Sequence, residues 1–482
     1  MVIHLLQKAA VWTAVVFFAL VWLLCIVTVG WQSALVALVL LAVLWGLGRG
    51  IARLQPCTAD RLFWLAFCVF VLAAGAFAFA VKVEPAWDFG RVYHGALEIT
   101  TSGSIQIDSQ YFLESNNNFF LALLLAPVFI AGSLAGFSSL TSGILFNLLA
   151  IDASILMLWR VAHRQWGAQR ALAVAVGCFG CAGLWLYGPI FYTDTPSMPL
   201  ACLALLLAQQ WNRVTGGTRL LLAAGMGVTA FVGYRIKPTV LIVFVALVLW
   251  WLLSSRRGIA AACTGAVVFA LLMGLWSVIL AHNPILDTTE LERYRLPPMH
   301  YVMMGLKNPG GYDEQDHMTS QALPSAEART QHAVQEIKAR LQAYGPAGLA
   351  DHIARKLAYT WADGSYFGGH KLSIDPVNQG WLQQWVTPQG SYWQIFILIA
   401  NAQQLVVCTG LAAAAIGQAR SKQCSGLVWT VLIALLGAGV FLLLWETRSR
   451  YLVGLLPLIL LAAQQGLEQL LHLKAAKKNL VN

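Results

Sequence analysis

The residues able to do chemistry lie in three short stretches. In VKVEPAWDFGRVYHGALEI, residues 81–99, a long apolar run ends and Glu84, Asp88, Arg91, Tyr93, His94 and Glu98 follow. Trp87 and Phe89 flank Asp88 with apolar surface, which raises a carboxyl's pKa towards the range of a general base. Such a base contributes about 10²–10⁴-fold to a rate. The plainer reading is a solvated acid paired with Arg91, worth about 0.2–0.5 kcal/mol. In PIFYTDTPSMPL, residues 189–200, Asp194 opens an apolar run. Thr193, Asp194 or Thr195 is placed to cap a helix there, or the polar start holds substrate hydroxyls. In WETRSRYLVGLLP, residues 445–457, Glu446, Arg448 and Arg450 enter another run. Arginine meets phosphate with a planar fork of donors; an internal ion pair with Glu446 or snorkelling is the alternative. Arg235 and Lys237, in GYRIKPTVLI, form a second cation pair.

The chain that must position these groups has 482 residues, 59% hydrophobic and 11% charged. Soluble domains carry about 25% charged residues, and so much exposed apolar surface would aggregate in water. A lipid span needs roughly 20 mostly apolar residues, and such runs recur near 9–29, 33–48, 62–83, 119–136, 140–159, 171–191, 195–211, 219–234, 238–254, 259–281, 393–417, 426–445 and 451–471. These predict an all-α polytopic bundle of about 11–13 helices. The N-terminal run has no small-residue cleavage site and reads as a retained span.

The net charge of +10 comes from Lys and Arg clusters at alternate connections. They are Lys8; Arg49, Arg53 and Arg61; Arg160, Arg164 and Arg170; Arg213 and Arg219; Arg256 and Arg257; Arg420 and Lys422; and Lys474, Lys477 and Lys478. That pattern sets topology and marks the cytoplasmic side, so nucleic acid is not the implied partner. Residues 84–118 and 282–392 then lie outside. The division is an N-terminal transmembrane module (1–281), an extracytoplasmic cap (282–392) and C-terminal transmembrane helices (393–482). With 84–118 outside and 160–170 inside, the runs over 119–159 must cross an odd number of times, so one is short, tilted or re-entrant. Arg235 and Lys237 fall on the outer side, against the rule.

The first outer loop predicts an interfacial helix. Phe89, Val92, Tyr93, Ala96 and Ile99 make its apolar stripe, and Asp88, Arg91, Gly95 and Glu98 another face. The three Asn residues of ESNNNFF mark a turn. In the cap, Ser325 is placed to cap an amphipathic helix with Val334, Ile337, Leu341 and Tyr344 as its stripe; Leu349, Ile353 and Leu357 begin another. Of the nine cysteines only Cys178 and Cys181 stand at CxxC spacing, both inside an apolar run where cysteine acts as a small hydrophobe, and no GxGxxG, Walker loop, HExxH or GxSxG occurs. Nucleotide and zinc chemistry have no support.

Taken in order, EPAWDFGRVY, ESNNNFFLALLLAPVF, LMLWRVAHRQWG, FYTDTPSMPL, MHYVMMGLKNPGGYDEQD and RSRYLVGLLPLIL resemble the GT-C superfamily of polytopic glycosyltransferases. That superfamily includes the protein O-mannosyltransferases and the aminoarabinose transferases. The likeness is an order of features over most of the chain, each motif short. It implies a polyprenyl-phosphate sugar donor, transfer at the outer membrane face and an acid in the first outer loop as base, which by position is Asp88. The acid here is single, where the common pattern has two adjacent acids; Glu84 is the substitute. The resemblance assigns the donor phosphate to Arg448 and Arg450, with Arg235 and Lys237. Substrate contacts would come from Glu84, Arg91, Tyr93, Asp194, His300, Tyr301 and Glu446. No cofactor is required; a divalent cation is left as an option. The acceptor would be an envelope glycan, a lipid or a protein. The rival readings are a transporter or flippase of lipid-linked sugar, and an envelope scaffold.

Overall fold

The computed structural model describes residues 2–254 and 256–479. In chain order the helices are α1 (Val2–Ala52), α2 (Pro56–Ala80), α3 (Trp87–Ser102), α4 (Ser109–Glu114), α5 (Asn117–Leu134), α6 (Ser139–Trp166), α7 (Ala168–Phe179), α8 (Ala182–Leu186), α9 (Asp194–Trp211), α10 (Gly217–Ile236), α11 (Leu241–Leu252), α12 (Arg256–His282), α13 (Leu291–Tyr294), α14 (Pro298–Gly305), α15 (Glu314–Gln321), α16 (Ala326–Trp361), α17 (Gly368–Leu372), α18 (Gln383–Val386), α19 (Trp393–Arg420), α20 (Gly426–Leu444) and α21 (Leu456–Asn479). Of Lys474, Lys477 and Lys478 only the helical backbone is described, and the Arg256 side chain lies outside the description. Among the described residues there is no β-strand, only an isolated bridge between Val83 and Pro376. Nine helices among them are long and apolar enough to cross a membrane.

The first of these nine carries two passes. Lys8 donates to the carbonyls of Ala419 and Ser421, and Trp22 to Thr409 at 2.9 Å, so α1 starts antiparallel to α19. Thr28 and Val29 reach the opposite face, beside Asn308 and Arg448. Beyond Gly30, residues Trp45 and Arg49 are back beside Arg170 and Glu468. The reversal sits at Gly30 itself, at φ 79°, ψ 168°, a region essentially restricted to glycine. Gly167, at φ 89°, ψ 176°, makes the same reversal between α6 and α7. The clusters from Lys8 to Lys422 gather on one face, hereafter the basic face.

The parity conflict is resolved by α5, which does not cross. At its start Asn118 donates to the hydroxyls of Tyr111 (2.6 Å) and Tyr192 (3.2 Å). Near its end Phe129 packs on Tyr93 at 5.5 Å and Phe191 at 6.3 Å, and Gly132 abuts Ser142. Both ends therefore stay on the face opposite the basic one. The crossing belongs to α6. Asn147 near its start bonds the Tyr187 and Gly188 carbonyls (2.7 and 2.8 Å), while His163 near its end meets Asp60 at 3.2 Å and Trp159 stacks on Phe63 at 4.3 Å.

The predicted interfacial helix is α3. Phe89, Val92 and Ala96 are buried, and Gly95 joins them, because Phe112 sits where its side chain would be. In the cap, Ser325 accepts from the Ala328 amide at 3.1 Å as expected, and Gly345 breaks α16 in two. The predicted stripe there is only partly covered, with Leu341 40% exposed. Before Gly345 the buried positions are instead Arg329 and Ala333. Arg329 donates to the carbonyls of Ser320 (2.9 Å), Leu323 (3.0 Å) and Arg295 (3.3 Å), so one guanidinium satisfies the loop backbone that an apolar stripe could not.

Candidate functional site

A cavity of about 820 Å³ opens between α3, α4, the cap and the turn that precedes α21. Its wall carries Asp88, Arg91, Asp108, Glu114, Tyr301, Lys371, Glu446, Arg448 and Arg450, drawn from four separate stretches of chain.

Asp88 lies in the first turn of α3. The residue before it, Trp87, sits at φ 47°, a left-handed conformation that costs a non-glycine residue about 1–3 kcal/mol. Gly90 permits the sharp entry, since a Cβ there would lie 2.7 Å from the Pro85 carbonyl oxygen. The loop is tied to the cap through backbone bonds from Glu84 to Asp375 (2.9 Å) and from Val377 to Lys82 (3.1 Å). That seam brings α17 over Trp87, where Lys371 Nζ stands 3.4 Å from the indole centroid.

The arginines are set by Asp363. Its carboxylate accepts from the amides of Ser365 (2.9 Å) and Phe367 (2.7 Å) and the hydroxyls of Ser365 (2.6 Å) and Ser449 (2.7 Å). Ser449 separates Arg448 from Arg450, so this one carboxylate couples the turn at 363–367 to both. Arg448 lies between the rings of Phe367 (3.6 Å) and Tyr359 (4.4 Å). Arg450 reaches Asp88, Nη2 to Oδ2 at 3.8 Å, and Asp88 remains 43% exposed there. Beside them Glu446 accepts from the Tyr451 hydroxyl, and Tyr301 stacks on Trp445 at 4.8 Å.

The charges in this wall feel their burial. Desolvation, then the neighbouring Arg450, pushes Lys371 down to about 7, against the pull of Asp88 and Asp194. The same two causes bring Arg448 down to about 10. Burial raises the Glu446 carboxyl, opposed by the Tyr451 hydrogen bond and Arg450.

Of the residues singled out from sequence, Asp88, Arg91, Tyr301, Glu446, Arg448 and Arg450 line the cavity. Arg91 spends its charge on Asp108. Lys237 and Asp194 form a buried ion pair behind the wall, with Lys237 Nζ 5.6 Å from the Tyr451 ring. Asp194 therefore does not cap α9, which has no side-chain cap. Glu84 is exposed and holds the cap only through its backbone. Tyr93 packs between Phe129 and Phe191. His300 is fully buried, bonded to Ser320 Oγ at 2.8 Å, and desolvation brings it down to about 4. Arg235 lies under α5 and stacks on Trp276 at 4.9 Å. Sequence reasoning missed Lys371, Asp363 and Glu114, whose carboxylate takes Gln110 (2.8 Å) and Gln321 (2.9 Å); a lone lysine or acid in a loop carries no local signal. Among the described residues no group of three His, Cys, Asp or Glu side chains could hold a metal ion.

No curated protein matches the chain, and no solved structure does. A family model does, over residues 23–470, nearly the whole of the bundle and cap described above. With that coverage and a bundle of membrane-length helices, the chain belongs to the family described as conserved hypothetical integral membrane protein.

Proposed function

We propose that this chain is a GT-C-type glycosyltransferase that moves a sugar from a polyprenyl-phosphate donor to an acceptor hydroxyl, with inversion, at the outer face of the cytoplasmic membrane. The observation that carries the reading is the meeting of Asp88, Arg448 and Arg450 on one cavity wall, remote in sequence. The cavity opens on the face opposite the basic clusters, which by the positive-inside rule is extracytoplasmic.

In this reading Asp88 takes the proton of the acceptor hydroxyl. The acceptor oxygen bonds to the anomeric carbon as the bond from that carbon to the phosphate oxygen breaks. The electron pair leaves on the lipid phosphate, where Arg448 and Arg450 offset the growing charge. Lys371 adds a cation on the same wall. Aromatic faces, and no carboxylate among the described residues, hold Arg448 and Lys371 in place, which leaves the Arg448 charge, and that of Lys371 below about pH 7, for the ligand. Lys237 is spent on Asp194 behind Tyr451, and the cap lies over the cavity.

Asp88→Asn tests this. The Asp88–Arg450 pair is long and half solvated, so the substitution changes stability by less than about 1 kcal/mol. Sugar transfer in membranes falls by about 10²–10⁴-fold. Retained transfer overturns the assignment. The carrier reading would rest on Asp152, at the centre of α6; loss of function in Asp152→Asn with Asp88→Asn active would favour it.

A further inference from the structure

Among the described residues, Arg235 is a buried cation without a carboxylate partner. It is 8% exposed, and its guanidinium makes one long hydrogen bond, 3.4 Å to Asn116 Oδ1. Its Nε has no partner among the described residues. Two more donors around it share that condition: Asn116 Nδ2 and the indole Nε1 of Trp276, both buried and unbonded. The amide orientation follows from chemistry, because a guanidinium only donates and must face Oδ1. Trp276 lies against the guanidinium at 4.9 Å. Apart from the long bond to Asn116 Oδ1, these N–H groups meet no acceptor among the described residues. A buried donor left unbonded costs about 1–3 kcal/mol, and three in one place mark a position for an oxygen-rich anion.

The surroundings say which anion. The cluster lies at the same end of the bundle as the candidate site, one residue from the cavity wall at Ser115. Its roof is α12, the least covered of the long helices, with 6% of its apolar window buried. Leu275, Val278 and Ile279 flank Trp276 and are exposed. Towards the basic face an apolar groove of about 210 Å³ runs between α10, α11 and α12, lined by Met226, Ala230, Val245, Gly265 and Phe269. Gly265, Phe269 and Trp276 share one stripe of α12 by helical spacing. A headgroup at Arg235 would therefore drop a chain directly into that groove.

We propose that Arg235, Asn116 and Trp276 bind the phosphate of an anionic lipid whose chain occupies the groove between α10, α11 and α12. The site is distinct from the cavity at Asp88 and does not depend on the transferase reading.

The test is lipid retention by the purified full-length protein, read by native mass spectrometry after detergent exchange. Phosphatidylglycerol is the probe, dioleoylglycerol the phosphate-free control and inorganic phosphate the chain-free arm. Wild type retains phosphatidylglycerol over dioleoylglycerol. Arg235→Gln loses that retention by about tenfold or more, the scale of one charge-assisted bond. Should Arg235→Gln fold poorly, Asn116→Asp decides: it gives the guanidinium its own carboxylate, keeps the fold and repels the phosphate, so retention falls. Unchanged retention in Asn116→Asp overturns the site. Equal retention of dioleoylglycerol, or thermal protection by inorganic phosphate matching that by lipid, overturns the lipid assignment.

Discussion

Replacing Lys356 with methionine is expected to stabilise the protein. Lys356 is fully buried in α16, and its Nζ donates to the Gly305 carbonyl at 2.6 Å. Desolvation brings its ammonium down to about 8 from an ordinary 10.5, only partly offset by Glu446. At about 1.36 kcal/mol per unit, the buried charge costs about 3 kcal/mol near neutral pH. Methionine keeps the stem, which packs against Gly310, and removes the charge. The Gly305 carbonyl is not orphaned, because His352 Nε2 also contacts it at 3.1 Å. What is lost is the pull of the ammonium on Glu446. The net gain is about 1–2 kcal/mol, in line with replacements of buried ions by apolar side chains. The sign with pH is also determined. Between about pH 8 and 10.5 the unfolded chain keeps a proton that folded Lys356 has shed, so wild-type stability rises with pH over that window. The advantage of Lys356→Met is therefore full at pH 7 and shrinks by pH 9.5. Thermal unfolding of the detergent-purified pair at the two pH values is the assay. A lower midpoint for the variant at pH 7, or an advantage that does not change with pH, refutes the reasoning.

Lys371, brought down to about 7 by burial and Arg450, carries its charge below that pH and loses it above. Binding of a short polyprenyl phosphodiester, whose charge is constant over this range, should weaken as pH rises from 6 to 8.5 in wild type and stay flat in Lys371→Arg; coincident profiles would show that Lys371 does not titrate there. Asn147→Ala should lower the unfolding free energy by about 1–3 kcal/mol, because it strips the buried Gly188 carbonyl of its donor, while the Tyr187 carbonyl keeps the Ile190 amide. A melting midpoint within a degree of wild type would contradict that accounting.

What the sequence discloses and what it hides divide along the range of the interaction. Helices, caps and breaks are local, so the apolar runs, the Ser325 cap and the amphipathic stripe of α3 are readable in a window of a few turns. That Arg448 and Arg450 need a partner was also readable, because cations on the wrong side of a span need a reason to be there. Lys371 and Asp363 were not, since their roles arise only when the seam between Glu84 and Asp375 closes and Ser449 docks on the turn at 363–367. Arg235 shows the limit more sharply. Its sequence context marks it as anomalous, yet whether it faces the cavity or the lipid is decided by α5, a helix with the length and hydropathy of a span. Composition alone makes α5 cross; the basic residues at 160–170 forbid it. The two statements conflict only if every apolar run must span. Releasing that assumption for α5 places Asn116 beside Arg235 and Asn118 beside Tyr192, so the contradiction in charge parity was itself the signal for where the polar wall of the bundle is built.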